Sequence, residues 1–128
     1  MKNKITNQRA LRWWIHDLET TLNPQGHGWL NARGKFCCLG RLCEIYKADT
    51  GDGKWKSCDW SSDHLVFVSE KGSSSALLPL PVAKWLGIDE FLMDITFSNG
   101  EYASTLNDGG ATFKEIAQRL RADFLEDE

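Results

Sequence analysis

The chain has 128 residues, 41% of them hydrophobic and 26% charged, with a net charge of −3. That length suffices for one ordinary domain with its own core. The mild acidity argues against a general nucleic-acid binder, which needs a basic surface for phosphates, and it is far too weak for a mimic of DNA charge. No stretch approaches the ~20 apolar residues of a membrane span, and the N-terminal MKNKITNQRALRWW lacks the apolar core of a signal peptide. A cytoplasmic protein with reduced thiols is therefore expected. Lys2, Lys4, Arg9 and Arg12 gather at one end and the acids of DFLEDE at the other, a pattern read as two solvated ends. Of the six tryptophans, a domain this small buries roughly three or four well, so one or two are expected near a binding surface.

Leu11, Trp14, Ile15, Leu18 and Leu22 recur at helical spacing and predict an amphipathic helix. Thr6 or Asn7 is its candidate cap, and Asn23-Pro24 ends it. In QGHGWLNARGKF, the segments Trp29-Leu30-Asn31 and Lys35-Phe36-Cys37 flank Ala32-Arg33-Gly34 and predict a hairpin with glycine in the turn. Leu39, Leu42, Cys43 and Tyr46 predict a second helix of about ten residues. It carries Gly40 inside, tolerable if another backbone packs close.

Residues 48–64 are polar and turn-rich and read as a long loop with some extended structure near Trp55. Leu65-Val66-Phe67-Val68 predicts a strand, SEKGSSS a connector, and LPLPVAKWLG a short helix between Pro81 and Gly87 with Val82, Trp85 and Leu86 inward. Asn99-Gly100 within MDITFSNGEYAST predicts a hairpin through a type I′ turn. NDGG reads as a turn. Thr112-x-x-Glu115 is a capping box before the stripe Phe113, Ile116, Ala117, Leu120 and Phe124. Helices and hairpins without strict alternation predict a single α+β domain over residues 1–128, with N- and C-terminal amphipathic helices packed on short antiparallel hairpins.

Four cysteines invite chemistry. Zinc would need Cys37 or Cys38, Cys43 and the Cys58-x5-His64 pair, but no C-x-x-C occurs. A catalytic thiol would place Cys37 or Cys38 at a helix N-terminus; His16, His27 and His64 are the available bases, with His27 on a glycine-rich loop. A disulfide conflicts with the reducing compartment. Packing as small hydrophobes accounts best for Cys38 and Cys43 on the helix stripe, so no metal, cofactor or catalytic residue is assigned. TGDGKWKS lacks both the phosphate-loop pattern and the later ligands of a calcium loop, and reads as a solvated turn. Trp29, Arg33, Lys35 and Arg41 form a basic and aromatic group suited to stacking and pairing with a nucleotide-like molecule. Asn107 and Asp108, before the last helix, are candidates for a polar pair lining a pocket, against ordinary turn chemistry.

Three blocks, GKFCCLGRLCEIY, LPLPVAKWLGI and LNDGGATFKEIAQRL, occur in that order. Together they resemble a family of small proteins of tailed bacteriophages and prophages, whose members read G-x-[YF]-C-C-L-G-V-L-C, L-P-x-x-V-x-x-W-x-G and L-N-D-x-G-x-[ST]-F-x-x-I-A. The resemblance spans roughly residues 10 to 121. It departs at Arg41, where valine is usual, and at LRWWIHDLETTL, where a shorter alanine–leucine helix is usual. It implies a setting and no activity. That setting is an accessory protein in the host cytoplasm that binds a host defence protein or a nucleotide-like small molecule, for counter-defence or host takeover. The alternatives are a small cysteine-dependent enzyme and a structural module of a phage assembly. The oligomeric state stays open between monomer and homodimer.

Overall fold

The computed structural model describes residues 4–58, 61–88 and 93–126, with no account of the side chains of residues 58 and 61–63. Trp60 and the other residues between these stretches lie outside the described ones. Among the described residues ten elements follow in order: α1 Gln8–Thr20, β1 Asn31–Ala32, β2 Lys35–Phe36, α2 Cys38–Thr50, β3 Lys54–Cys58, β4 Ser61–Ser69, β5 Gly72–Ser74, α3 Leu80–Leu86, α4 Ala103–Asp108 and α5 Phe113–Phe124. The strands form one antiparallel sheet in the order β2-β1-β4-β3, with β5 also paired to β4. This is the expected α+β class.

The terminal helices form where their periodicity places them. Asn7 caps α1, its side chain accepting from the Ala10 amide. Ala10, Leu11, Trp14, Ile15 and Leu18 are buried, but the helix ends at Thr20 and Leu22 is 98% exposed. The apolar stripe thus outlasts the helix by one residue of its pattern. Both halves of the Thr112–Glu115 capping box are present, and the whole predicted stripe of α5 is buried. The two helices lie against each other, and α1 also packs on α2 and α3.

In the first hairpin, Asn31 pairs with Phe36 and Ala32 with Lys35, which leaves a two-residue turn at Arg33-Gly34. Both turn residues have positive φ, 56° and 87°, the signature of type I′. Asn31 Oδ1 accepts from the Gly34 amide at 2.7 Å. Helix α2 follows at once and runs 13 residues, longer than predicted. A Cβ on its Gly40 would sit 1.9 Å from the Leu30 carbonyl oxygen, so the close backbone approach that excuses this glycine is real.

Three readings are corrected. Residues 48–64 are no long loop, because α2 continues to Thr50 and β3 and β4 occupy most of the rest. Lys54-Trp55-Lys56 alternates as an edge strand does, and its outward polar residues disguise it. The SEKGSSS connector is the β4–β5 hairpin. Among the described residues the Asn99-Gly100 segment makes only one bridge, Thr96 to Tyr102. Gly100 alone of the pair has positive φ, which excludes type I′. The following residues turn into α4 instead. Its N-terminus is held from outside by the buried Asp94, which accepts from the Ser104 hydroxyl and, at 3.3 Å, from the Ser104 amide.

Among the described tryptophans only Trp14 is fully buried, its indole donating to the Cys38 carbonyl at 3.0 Å. Trp29, Trp55 and Trp85 are half-buried, and Trp13 is exposed. Trp85, expected inward, packs against the core yet donates its indole N–H to Asp49 at 2.9 Å.

Candidate functional site

The six predicted site residues divide into two groups. Asn107 is 0% exposed. Its Oδ1 accepts from the Cys38 amide at 3.1 Å and from Gln25 Nε2 at 2.8 Å. Its Nδ2 donates to the Gly26 carbonyl at 2.8 Å. Gln25 in turn accepts from the Phe113 amide at 3.1 Å and donates to the Ala111 carbonyl at 2.8 Å. The two amides therefore satisfy helix-end groups of α2 and α5, the orphans every helix leaves. Asp108 is exposed and accepts from the Gly28 amide at 2.7 Å, clamping the loop before Trp29. Asn107 is a structural tie; it also donates to Asp108 Oδ1 at 3.5 Å, so the expected polar pair is in contact, with Asn107 buried and Asp108 exposed. Arg41 is likewise engaged. It makes a two-point ion pair with Asp17, at 2.8 and 2.7 Å, and lies 5.1 Å over the Phe36 ring.

The thiols belong to the interior. Cys37, Cys38 and Cys43 are free and buried, and all three lie in the core cluster. Burial pushes the Cys37 thiol up to about 11 and the other two well above their ordinary value. Cys37 caps α2, accepting from the Gly40 amide at 3.4 Å. The helix N-terminus favours thiolate there, but desolvation is the larger effect. His27 is exposed, whereas these sulfurs are buried. Among the described residues no group of three or more His, Cys, Asp or Glu could hold a metal ion.

Trp29, Arg33 and Lys35 remain at the surface around the first hairpin. Trp29 stacks flat on the buried His64, with centroids 3.7 Å apart and planes 3° from parallel. Register then adds two residues that sequence reasoning passed over. Lys54 faces Val68 and Lys56 faces Val66 across β3–β4. Residues opposite one another share a face, and side chains alternate along each strand. Trp55 and Phe67 occupy the inner face, their rings 4.9 Å apart, so Lys54 and Lys56 project from the outer one. Phe36 and Asn31 are buried, which puts Lys35 and Ala32 on that outer face as well. Lys35, Lys54 and Lys56 are all exposed, and none has an ion-pair partner among the described residues. The signal that could have found Lys54 and Lys56 is the alternation in Lys54-Trp55-Lys56.

A cleft of about 250 Å³ lies elsewhere, between α4 and α5, lined by Leu106, Ala111, Glu115, Ile116, Gln118 and Arg119. It includes none of the predicted residues. Arg119 there already pairs with Glu101 at 3.3 Å and lies 5.2 Å over the Phe97 ring.

No helix among the described residues is long and apolar enough to cross a membrane. No curated protein and no solved structure matches the chain. Residues 1–124 match the family model described as Domain of unknown function (DUF8296), and the chain belongs to that family.

Proposed function

We propose that this protein works by binding rather than by catalysis, as a phage accessory protein in the host cytoplasm that engages a host protein for counter-defence or takeover. The observation that carries the reading is the row of exposed lysines on the outer sheet face, Lys35, Lys54 and Lys56, which have no ion-pair partner among the described residues. A chain of net charge −3 that displays three exposed cations on one sheet face offers a complementary surface to an acidic partner. The thiol groups that an enzyme of this sequence would use are desolvated and protonated at neutral pH. The three sequence blocks supply the phage setting.

The Trp29–His64 stack favours a second reading of the same region. A half-buried indole beside Arg33 and Lys35 suits a nucleotide-like anion.

Affinity capture from infected cells with wild type, a K35E/K54E/K56E variant and C38S separates these ideas. Loss of a captured host protein in the charge-reversed variant alone is the expected result. Capture and anti-defence activity that survive charge reversal but vanish in C38S overturn it in favour of thiol chemistry. For the second reading, the tryptophan fluorescence of purified protein is titrated with a panel of mono-, di- and cyclic nucleotides. Saturable quenching that Trp29→Ala abolishes supports it, and a flat response removes it.

A further inference from the structure

The two edges of the sheet are unlike. At the β2 edge the Phe36 amide donates to the Pro24 carbonyl at 3.2 Å, and the Phe36 carbonyl accepts from the Gly26 amide at 2.7 Å. The segment around Gln25 thus closes that edge as a parallel bridge. Strand β3 forms the opposite edge. Among the described residues its backbone bonds only to β4, so the alternate N–H and C=O groups of residues 54–57 face away from the sheet.

Charge says what can pair there. Lys54 and Lys56 stand on the outer face of this edge, opposite valines rather than acids. Among the described side chains the nearby carboxylates are occupied: Asp52 accepts from the Tyr46 hydroxyl at 2.6 Å and the Glu70 amide at 3.1 Å, Asp49 pairs with Arg9 at 2.8 Å, and Glu44 accepts from Trp55 Nε1 at 2.8 Å. A second copy of this chain added antiparallel about a two-fold axis would set lysine against lysine, and like charges directly opposite destabilise a strand pair. An incoming strand with glutamate or aspartate at alternate positions meets both lysines and completes the ladder.

We infer that the β3 edge, residues 54–57, is a strand-addition site for an extended acidic segment of a partner protein. This inference rests on the binding reading above and names its partner chemistry and mode: main-chain hydrogen bonds supply affinity, and the lysine face selects charge.

The probe is a short soluble peptide alternating glutamate with threonine, with its lysine–threonine counterpart as control, added to the full chain. Amide exchange and amide chemical shifts at residues 54–57 report the mode, and titration reports affinity. The acidic peptide is expected to slow exchange at alternate β3 amides and to bind about tenfold more tightly than the control, the sum of two opposite-charge cross-strand pairs. K54E/K56E is expected to invert that preference; K54Q/K56Q, which keeps the fold if the reversed variant does not, is expected to erase it. Acidic peptide that binds without protecting residues 54–57 overturns strand addition and leaves the basic face as the binding surface. Unchanged preference in both variants, or edge protection that grows with protein concentration alone, overturns the inference in favour of a second copy or of lysines that merely guard the edge. Binding of neither peptide, together with host-protein capture that persists in K35E/K54E/K56E, removes both this inference and the reading beneath it.

Discussion

The Asn107 interior and the outer sheet face hold the same kind of raw material, polar side chains in a small domain, and treat it in opposite ways. Around Asn107 both polar atoms of the side chain are matched to groups from distant parts of the chain. On the outer face three lysines have no ion-pair partner among the described residues. The contrast separates polar residues that hold the fold from those left available to a partner. An unsatisfied buried group costs far more than a solvated one, so the interior set has no freedom for function.

Breaking the interior side should produce the largest effect. Asn107→Ala orphans the Cys38 amide and the Gly26 carbonyl and removes one of the two bonds of Gln25 Nε2, and a loss of about 3–4 kcal/mol is expected in urea unfolding. Asn107→Asp keeps the acceptor but sets a buried carboxylate oxygen against the Gly26 carbonyl and the Asp108 carboxylate, so a loss at least as large is expected at neutral pH. Gly40→Ala improves helix propensity by ~1 kcal/mol. It nonetheless drives a methyl into the Leu30 carbonyl, and a net loss of about 2–3 kcal/mol is expected.

The interior thiols and Tyr46 make a pH prediction. Tyr46 is pushed up to about 12, mainly by burial and then by its bond to Asp52, and Cys37 to about 11. Folded-state values above the unfolded ones mean the native chain holds protons that the unfolded chain releases. That contribution is complete below pH 9 and is lost as pH rises through about 11 and 12. The urea midpoint should therefore fall across this window, and the fall should be shallower in Tyr46→Phe. In the same buried set, Cys37, Cys38 and Cys43 should resist a thiol reagent at neutral pH until denaturant is added.

Changes on the surface side should be small for stability and large for binding. Arg33 occupies a left-handed position that asparagine fills with less strain, so Arg33→Asn should stabilise the fold by about 0.5–1 kcal/mol. If partner or nucleotide binding falls at the same time, the arginine is held at the turn for contact rather than for the hairpin. K54Q/K56Q should alter thermal stability by no more than ~0.5 kcal/mol. A larger loss would mean that the lysines have structural partners and would erase the distinction between the two regions.

Much of the fold was legible along the chain. The stripes of α1 and α5, the Thr112–Glu115 box, the Arg33-Gly34 turn and the helix closed by Pro81 and Gly87 all stand. Each depends on residues within a few positions of one another. The misses were β3, the first half of β4, β5 and α4. Edge strands present polar residues to solvent, so their composition resembles a loop. Helix α4 has six residues and too little periodicity to show; Asp94 holds it from outside, and its own Asn107 ties it to Gln25, Gly26 and Cys38 from other parts of the chain. Of the candidate site, Trp29, Arg33 and Lys35 were legible as a local cluster, whereas Lys54 and Lys56 join them only through strand register.

The sequence by itself determined which segments are amphipathic and where glycine, proline and capping residues start and stop them, because those preferences are local. Only the tertiary structure decided which polar side chains are spent and which are available. Asn107 finds its partners 69 to 82 residues away, while Lys54 and Lys56 find valines across the strand. A side chain's type sets what it can bond, but its partner is fixed by contacts between distant segments, and those exist only once the core has assembled.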